Sequence, residues 1–177
     1  MKYFLLLTLF FTIPYTVYAG DCPSLLNHQF KTLQGENIDL CEYRNQPILV
    51  VNTASRCGFT PQFEKLEAMS KQYKDRGLLV IGFPSNDFRQ ELQNDKDIGN
   101  FCKMTYGVKF PMISKGAVSG PNAQPFYKEL IAATGQEPKW NFHKYVITSN
   151  GKVVHAFSSE VQPDDPEIIK LIKPELK

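Results

Sequence analysis

The spacing of hydrophobic and polar positions changes period several times along the chain, and each change marks an element. From Phe30 to Leu40 the residues alternate on both sides of Gln34-Gly35, which predicts a β-hairpin with glycine in its turn. Pro47 then opens Ile48-Leu49-Val50-Val51-Asn52, a short continuous apolar run of the kind that fills a central strand buried on both faces. Beyond Pro61 the period lengthens. Phe63, Leu66, Met69, Ser70 and Tyr73 recur at three- and four-residue spacing, predicting an amphipathic helix with proline in its first turn and a stop near Arg76-Gly77. Leu78 to Phe83 is a second buried strand, ended by Pro84, and the polar stretch Ser85 to Asp95 reads as a loop.

Ile98, Phe101 and Cys102 share one face of a helix predicted from Asp95 to Thr105. Phe110 to Ile113 reads as a short strand or sheet edge, and Pro125 to Ala133 as a helix ending at Gly135. Tyr145–Ile147 and Val153–Phe157 flank Asn150-Gly151, a strong hairpin signal, and Pro166 to Ile172 closes the chain as a helix. The order predicts an α/β fold: a central mixed β-sheet flanked by helices, with an N-terminal β-hairpin.

The first residues follow a different pattern. Lys2 precedes an apolar run from Phe4 to Ile13 broken only by Thr8 and Thr12, and Val17-Tyr18-Ala19 sets small residues at the positions a signal peptidase reads. The run is shorter than the roughly 20 residues of a membrane span. A signal peptide over 1–19 is therefore expected, leaving one domain over 20–177 and placing the protein outside the inner membrane, in the periplasm if the source is bacterial. A charge of +2, from 20 basic and 18 acidic residues without blocks of either sign, gives no sign of nucleic-acid binding.

Export changes the meaning of the cysteines. Cys22, Cys41, Cys57 and Cys102 lie in the mature chain, and four cysteines allow three pairings. None forms CxxC or CxxCH, and His28, His143 and His155 are scattered, so neither a metal nor another cofactor is expected. Cys22 and Cys41 bracket the hairpin. A structural disulfide there is the economical reading, with two free thiols as the alternative.

Cys57 stands between a buried strand and a helix. Unpaired N–H groups at a helix start favour a thiolate, as does a cation such as Arg56; Gly58 would let backbone approach the sulfur. Such a cysteine is a candidate nucleophile, against the plainer reading of an inert core thiol.

Three ordered blocks point further: Asn52-Thr53-Ala54-Ser55-Arg56-Cys57-Gly58-Phe59-Thr60, Gly82-Phe83-Pro84-Ser85-Asn86-Asp87-Phe88, and Trp140-Asn141-Phe142-His143-Lys144-Tyr145. Together they resemble the glutathione peroxidase family over most of the mature chain. The resemblance implies a thioredoxin-like fold and a peroxidatic residue, Cys57, surrounded by Gln, Trp and Asn. Trp140 and Asn141 match the last two, and their N–H groups are suited to stabilising a thiolate and the oxyanion leaving a broken O–O bond. Alone, Trp140 would read as a core aromatic and Asn141 as a turn residue.

Asp87 occupies the position read as that of the Gln. A carboxylate there would point away, carry a proton, or accept one from the thiol, with Asn86 as a substitute donor. Cys102, 45 residues after Cys57, resembles the resolving cysteine of the thioredoxin-dependent branch; a buried structural cysteine is the competing reading. Ser85 stands where the family often carries another cysteine.

The resemblance implies reduction of hydrogen peroxide and organic hydroperoxides through a cysteine sulfenic acid, protecting against oxidative stress, with a thioredoxin-like protein or glutathione as reductant. Little chain separates Pro125 from Trp140, where tetrameric members carry an insertion, so a monomer is expected. The alternatives are a thiol–disulfide oxidoreductase, which would want a cysteine where Thr60 stands, and a non-enzymatic redox sensor.

Overall fold

The computed structural model describes residues 21–177, apart from the side chains of 153 and 154. The expected signal peptide lies outside these residues. Six strands and four α-helices follow in chain order. They are β1 (Gln29–Lys31), β2 (Asn37–Asp39), β3 (Ile48–Thr53), α1 (Gln62–Tyr73), β4 (Leu79–Pro84), α2 (Asp95–Tyr106), α3 (Pro125–Thr134), β5 (Lys144–Thr148), β6 (Lys152–Phe157) and α4 (Pro166–Ile172).

The main sheet has the order β4-β3-β5-β6. β3 runs parallel to β4, with Ile48 opposite Leu79, and antiparallel to β5, with Ile48 opposite Ile147. β5 and β6 form an antiparallel hairpin whose turn holds Asn150 and Gly151 at φ 66° and 73°. This is the mixed sheet of the α/β, thioredoxin-like fold that the sequence patterns and the resemblance imply.

Burial on both faces explains why β3 and β4 read as unbroken apolar runs. Side chains on successive residues go to opposite cores. Leu49 and Val51 of β3 join Phe63, Leu66 and Met69 of α1, Ile98 and Cys102 of α2, and Ile168 and Ile172 of α4. Ile48 and Val50 join Phe126, Tyr127 and Leu130 of α3, together with Leu25, Leu26 and Leu40 beneath the N-terminal hairpin. Cys57 belongs to the first core.

The N-terminal hairpin is shorter than its alternation suggests. Its strands pair over three residues each, from Gln29↔Asp39 to Lys31↔Asn37, and Leu40 begins a 3₁₀ turn. Phe110–Ile113 is likewise less than a strand: it makes isolated bridges, Met112 to Gly82 and Ile113 to Thr32, tying the edge of β4 to the hairpin. The approach is close enough that a Cβ on Gly82 would collide with the sulfur of Met112. Cys22 and Cys41 are joined by a disulfide with Cα atoms 5.5 Å apart, fastening the chain start to the segment after β2. Among the described residues, no helix is long and apolar enough to cross a membrane.

Candidate active site

Cys57 lies in the turn that leads from β3 into α1. The turn is self-bonded: Thr60 N–H donates to Cys57 O at 3.1 Å, and Cys57 N–H donates to Thr60 Oγ1 at 3.0 Å. Thr60 Oγ1 also lies 3.0 Å from Ala54 O and 2.7 Å from Cys57 O, close enough to donate to either. Cys57 is buried, 8% exposed, and free of any disulfide. Phe59 N–H, in the turn ahead of α1, points at Cys57 Sγ from 3.4 Å, while the N–H groups of Gln62, Phe63 and Glu64 at the helix start bond back to carbonyls of that turn. Gly58 makes no close approach, since a Cβ there would meet nothing within 4 Å. Arg56 is exposed, and its N–H donates to Gln90 O at 2.9 Å.

That last bond brings a residue absent from the sequence reading to the Cys57 loop. Gln90 Oε1 accepts a bond from Asn141 Nδ2 at 2.9 Å. Asn141 is fully buried. Because Gln90 uses its oxygen toward Asn141, its own amide N–H groups remain available as donors. Trp140 follows the same strand entry. Its ring is 5.5 Å from Phe88, and at 41% exposure it reaches solvent.

The Trp140–Asn141 pair is held by a backbone that only tertiary bonds sustain. Asn52, at the end of β3, donates from Nδ2 to Trp140 O at 3.1 Å, and its main-chain carbonyl accepts Phe142 N–H at 2.6 Å. Phe142 is fully buried at φ 64°, a costly conformation for a bulky side chain. Buried Lys144 donates from Nζ to Phe142 O at 2.7 Å and to Ser159 O at 3.4 Å. Burial pushes the Lys144 ammonium down to about 7, so the amine is easily neutral in this position.

Asp87 is placed elsewhere. Its Oδ2 accepts Val118 N–H at 2.7 Å, Ser119 N–H at 2.9 Å and Ser119 Oγ–H at 2.9 Å. Val118 belongs to the core on the other face of the sheet from Cys57. Of the three states open to Asp87, this is a side chain directed away from the thiol, closing the 118–119 loop. Asn86 Oδ1 accepts Glu91 N–H at 3.1 Å, so that carbonyl is occupied by its own loop.

Cys102 is 3% exposed, two turns into α2, in the same core as Cys57. Burial, and secondarily the charge of Glu91, push its thiol up to about 12. It is a neutral thiol at ordinary pH. Among the described residues, no group of His, Cys, Asp and Glu is arranged to hold a metal.

Comparison with known proteins decides the family. The glutathione peroxidase model matches residues 25–131. The chain belongs to the glutathione peroxidase family. It is 41% identical over 140 residues to a glutathione peroxidase of Lactococcus lactis, covering 76% of this chain and 89% of that one. It is 38% identical over 175 residues to the thioredoxin/glutathione peroxidase BtuE of Escherichia coli, covering 85% and 96%. A crystal structure of T. cruzi GPX1 superposes with a TM-score of 0.67 at 28% identity, covering 85% of this chain and 95% of that one. As a member of this family the chain is a thiol-dependent peroxidase, an oxidoreductase.

Proposed function

We propose that Cys57 is the peroxide-reducing thiol and that Gln90, Trp140 and Asn141, rather than Asp87, supply the donors around it. Cys57 sulfur attacks one peroxide oxygen, the O–O bond breaks, and the departing alkoxide or hydroxide takes a proton to leave as alcohol or water. Cys57 becomes a sulfenic acid. Cys102 then attacks that sulfur, releasing water and forming a disulfide, which a dithiol reductant reopens. Hydrogen peroxide and organic hydroperoxides are the substrates, a reading that membership of the glutathione peroxidase family supports.

The single observation carrying this reading is the Gln90–Asn141 amide pair bonded into the loop of Cys57. The experiment is direct. Cys57→Ser is expected to abolish consumption of the first equivalent of peroxide, since a hydroxyl is a far weaker nucleophile at neutral pH. A variant that still consumes peroxide at the wild-type rate would remove Cys57 from the role.

The reductant follows from the second thiol. A cycle that ends in a Cys57–Cys102 disulfide suits a thioredoxin-like protein, whereas glutathione attacks the sulfenic acid directly. The printed name of the Escherichia coli relative carries both. The chain acts as a monomer in an exported, oxidising compartment, where its role is protection against oxidative stress. The Cys22–Cys41 disulfide supports export, since such bonds persist outside the cytosol. N-terminal sequencing of the exported protein is expected to begin at Gly20, and recovery of a full-length cytosolic chain would refute export.

A further inference from the structure

The turn beside Cys57 carries a buried carboxylate that the chemistry above does not use. Glu91 is 8% exposed. Its Oε1 accepts Ser55 N–H at 3.1 Å and Leu92 N–H at 2.7 Å. The preceding residue, Gln90, accepts Arg56 N–H through its carbonyl at 2.9 Å. Two successive residues of one turn thus hold two successive residues of the loop that delivers Cys57. Burying a carboxylate is costly unless it is well bonded, and burial is the main cause raising this one above its ordinary value. Lys115 is the neighbouring cation, with Nζ bonded to Leu92 O at 3.1 Å and to Gln93 O.

We propose that Glu91 is a positioning residue: its carboxylate pins the Cys57 loop to the turn presenting Gln90. The inference rests on Cys57 as the attacking thiol. Without an acceptor at Oε1, Ser55 N–H loses its partner, and the register between Cys57 and the Gln90 amide is left to a single bond. One side chain therefore sets the geometry of the first step.

Two variants separate reach from charge. Glu91→Gln keeps the acceptor oxygen at the same distance and removes the charge; Glu91→Asp keeps the charge and withdraws the acceptor by a methylene. Reduced protein is mixed rapidly with hydrogen peroxide, following Trp140 fluorescence, with alkylation and mass spectrometry confirming that Cys57 is the residue oxidised. Glu91→Asp is expected to slow the first step by roughly tenfold to a hundredfold, the cost of a misplacement near an ångström. Glu91→Gln is expected to recover that step to within about threefold, because its amide oxygen accepts the same bonds.

A first step at the wild-type rate in Glu91→Asp, or one no faster in Glu91→Gln than in Glu91→Asp, would overturn the positioning role. Cys57→Ser serves as the independent control. If it still consumes peroxide, the functional reading itself fails; if it is inert while Glu91→Asp reacts normally, only the role of Glu91 fails.

Discussion

Asp87 and Gln90 lie three residues apart in one polar loop and have unrelated surroundings. Asp87 satisfies two main-chain N–H groups of the 118–119 loop, while Gln90 pairs with Asn141 beside Cys57. Matching the block by position assigned Asp87 to the glutamine role, because a loop offers no periodicity by which to detect a shift in register. A signal was nevertheless present: Gln90 has the amide the chemistry calls for, and Asp87 does not. The two residues should separate by experiment. Gln90→Ala is expected to slow the peroxide step by roughly a hundredfold, the typical cost of deleting one donor at a developing oxyanion. Asp87→Ala is expected to leave that rate nearly unchanged and to lower stability by about 1 kcal/mol, the worth of a lost hydrogen-bonding partner. Single-turnover kinetics and urea unfolding on both variants give the comparison.

At the scale of elements, α2 is built to hold Cys102 in place. Asn94 caps its start by accepting Asp97 N–H at 3.0 Å, and Gly107 ends it in the left-handed region at φ 64°. Gly107 and Val108 N–H both bond back to Cys102 O. A disulfide requires the two sulfurs to meet at bonding distance, and both are free thiols in this structure, so closing the cycle has to work against these contacts wherever Cys102 moves to reach Cys57. Cys102→Ser is expected to consume one equivalent of peroxide at the wild-type rate and then to accumulate sulfenic acid at Cys57. Its turnover with a thioredoxin-like donor should fall by at least about tenfold, while some turnover with a small thiol survives. Full thioredoxin-driven turnover in this variant would make Cys102 a structural residue. Steady-state assays with each donor, paired with mass spectrometry, provide the measurement.

At the scale of the whole molecule, the sheet gathers buried polar groups at the start of β5, and these tie stability to pH. His143 is 6% exposed, and its Nε2 has no partner among the described residues. Burial, then the neighbouring charge of Lys144, lowers its value from 6.5 to about 4. A base whose folded value lies below its unfolded one binds fewer protons when folded. Its contribution is complete above pH 6.5 and is lost as pH falls toward 4. The loss amounts to about 3 kcal/mol at most, from the size of the shift. His143→Gln should flatten this part of the profile, seen as a smaller difference between urea midpoints at pH 7 and pH 4.5 than in wild type. An equal difference in both proteins would assign the acid sensitivity to other groups. The N-terminal disulfide acts at this scale too. It closes a segment of 19 residues, worth about 3 kcal/mol on a chain-entropy account, and fastens the N-terminal hairpin.

Elements with a strong period were readable from the sequence alone. The apolar runs of β3 and β4, the three- and four-residue spacing of α1 and α2, the Asn150-Gly151 turn and the proline starts of α3 and α4 are local patterns, dictated by how a strand or helix must present its side chains. The place of Cys57 between β3 and α1 was legible for the same reason, since a strand-to-helix turn is a local feature. The tertiary structure alone decided what depends on distant segments meeting. It paired Gln90 with Asn141 across 51 residues and turned Asp87 toward a loop on the far side of the sheet. It reduced Phe110–Ile113 to two isolated bridges, because Gly82 and Thr32 offer that segment single contacts rather than a strand edge. It also set Glu91 beneath the Cys57 loop, because a buried carboxylate takes its place from the amides that satisfy it, and those belong to another part of the chain.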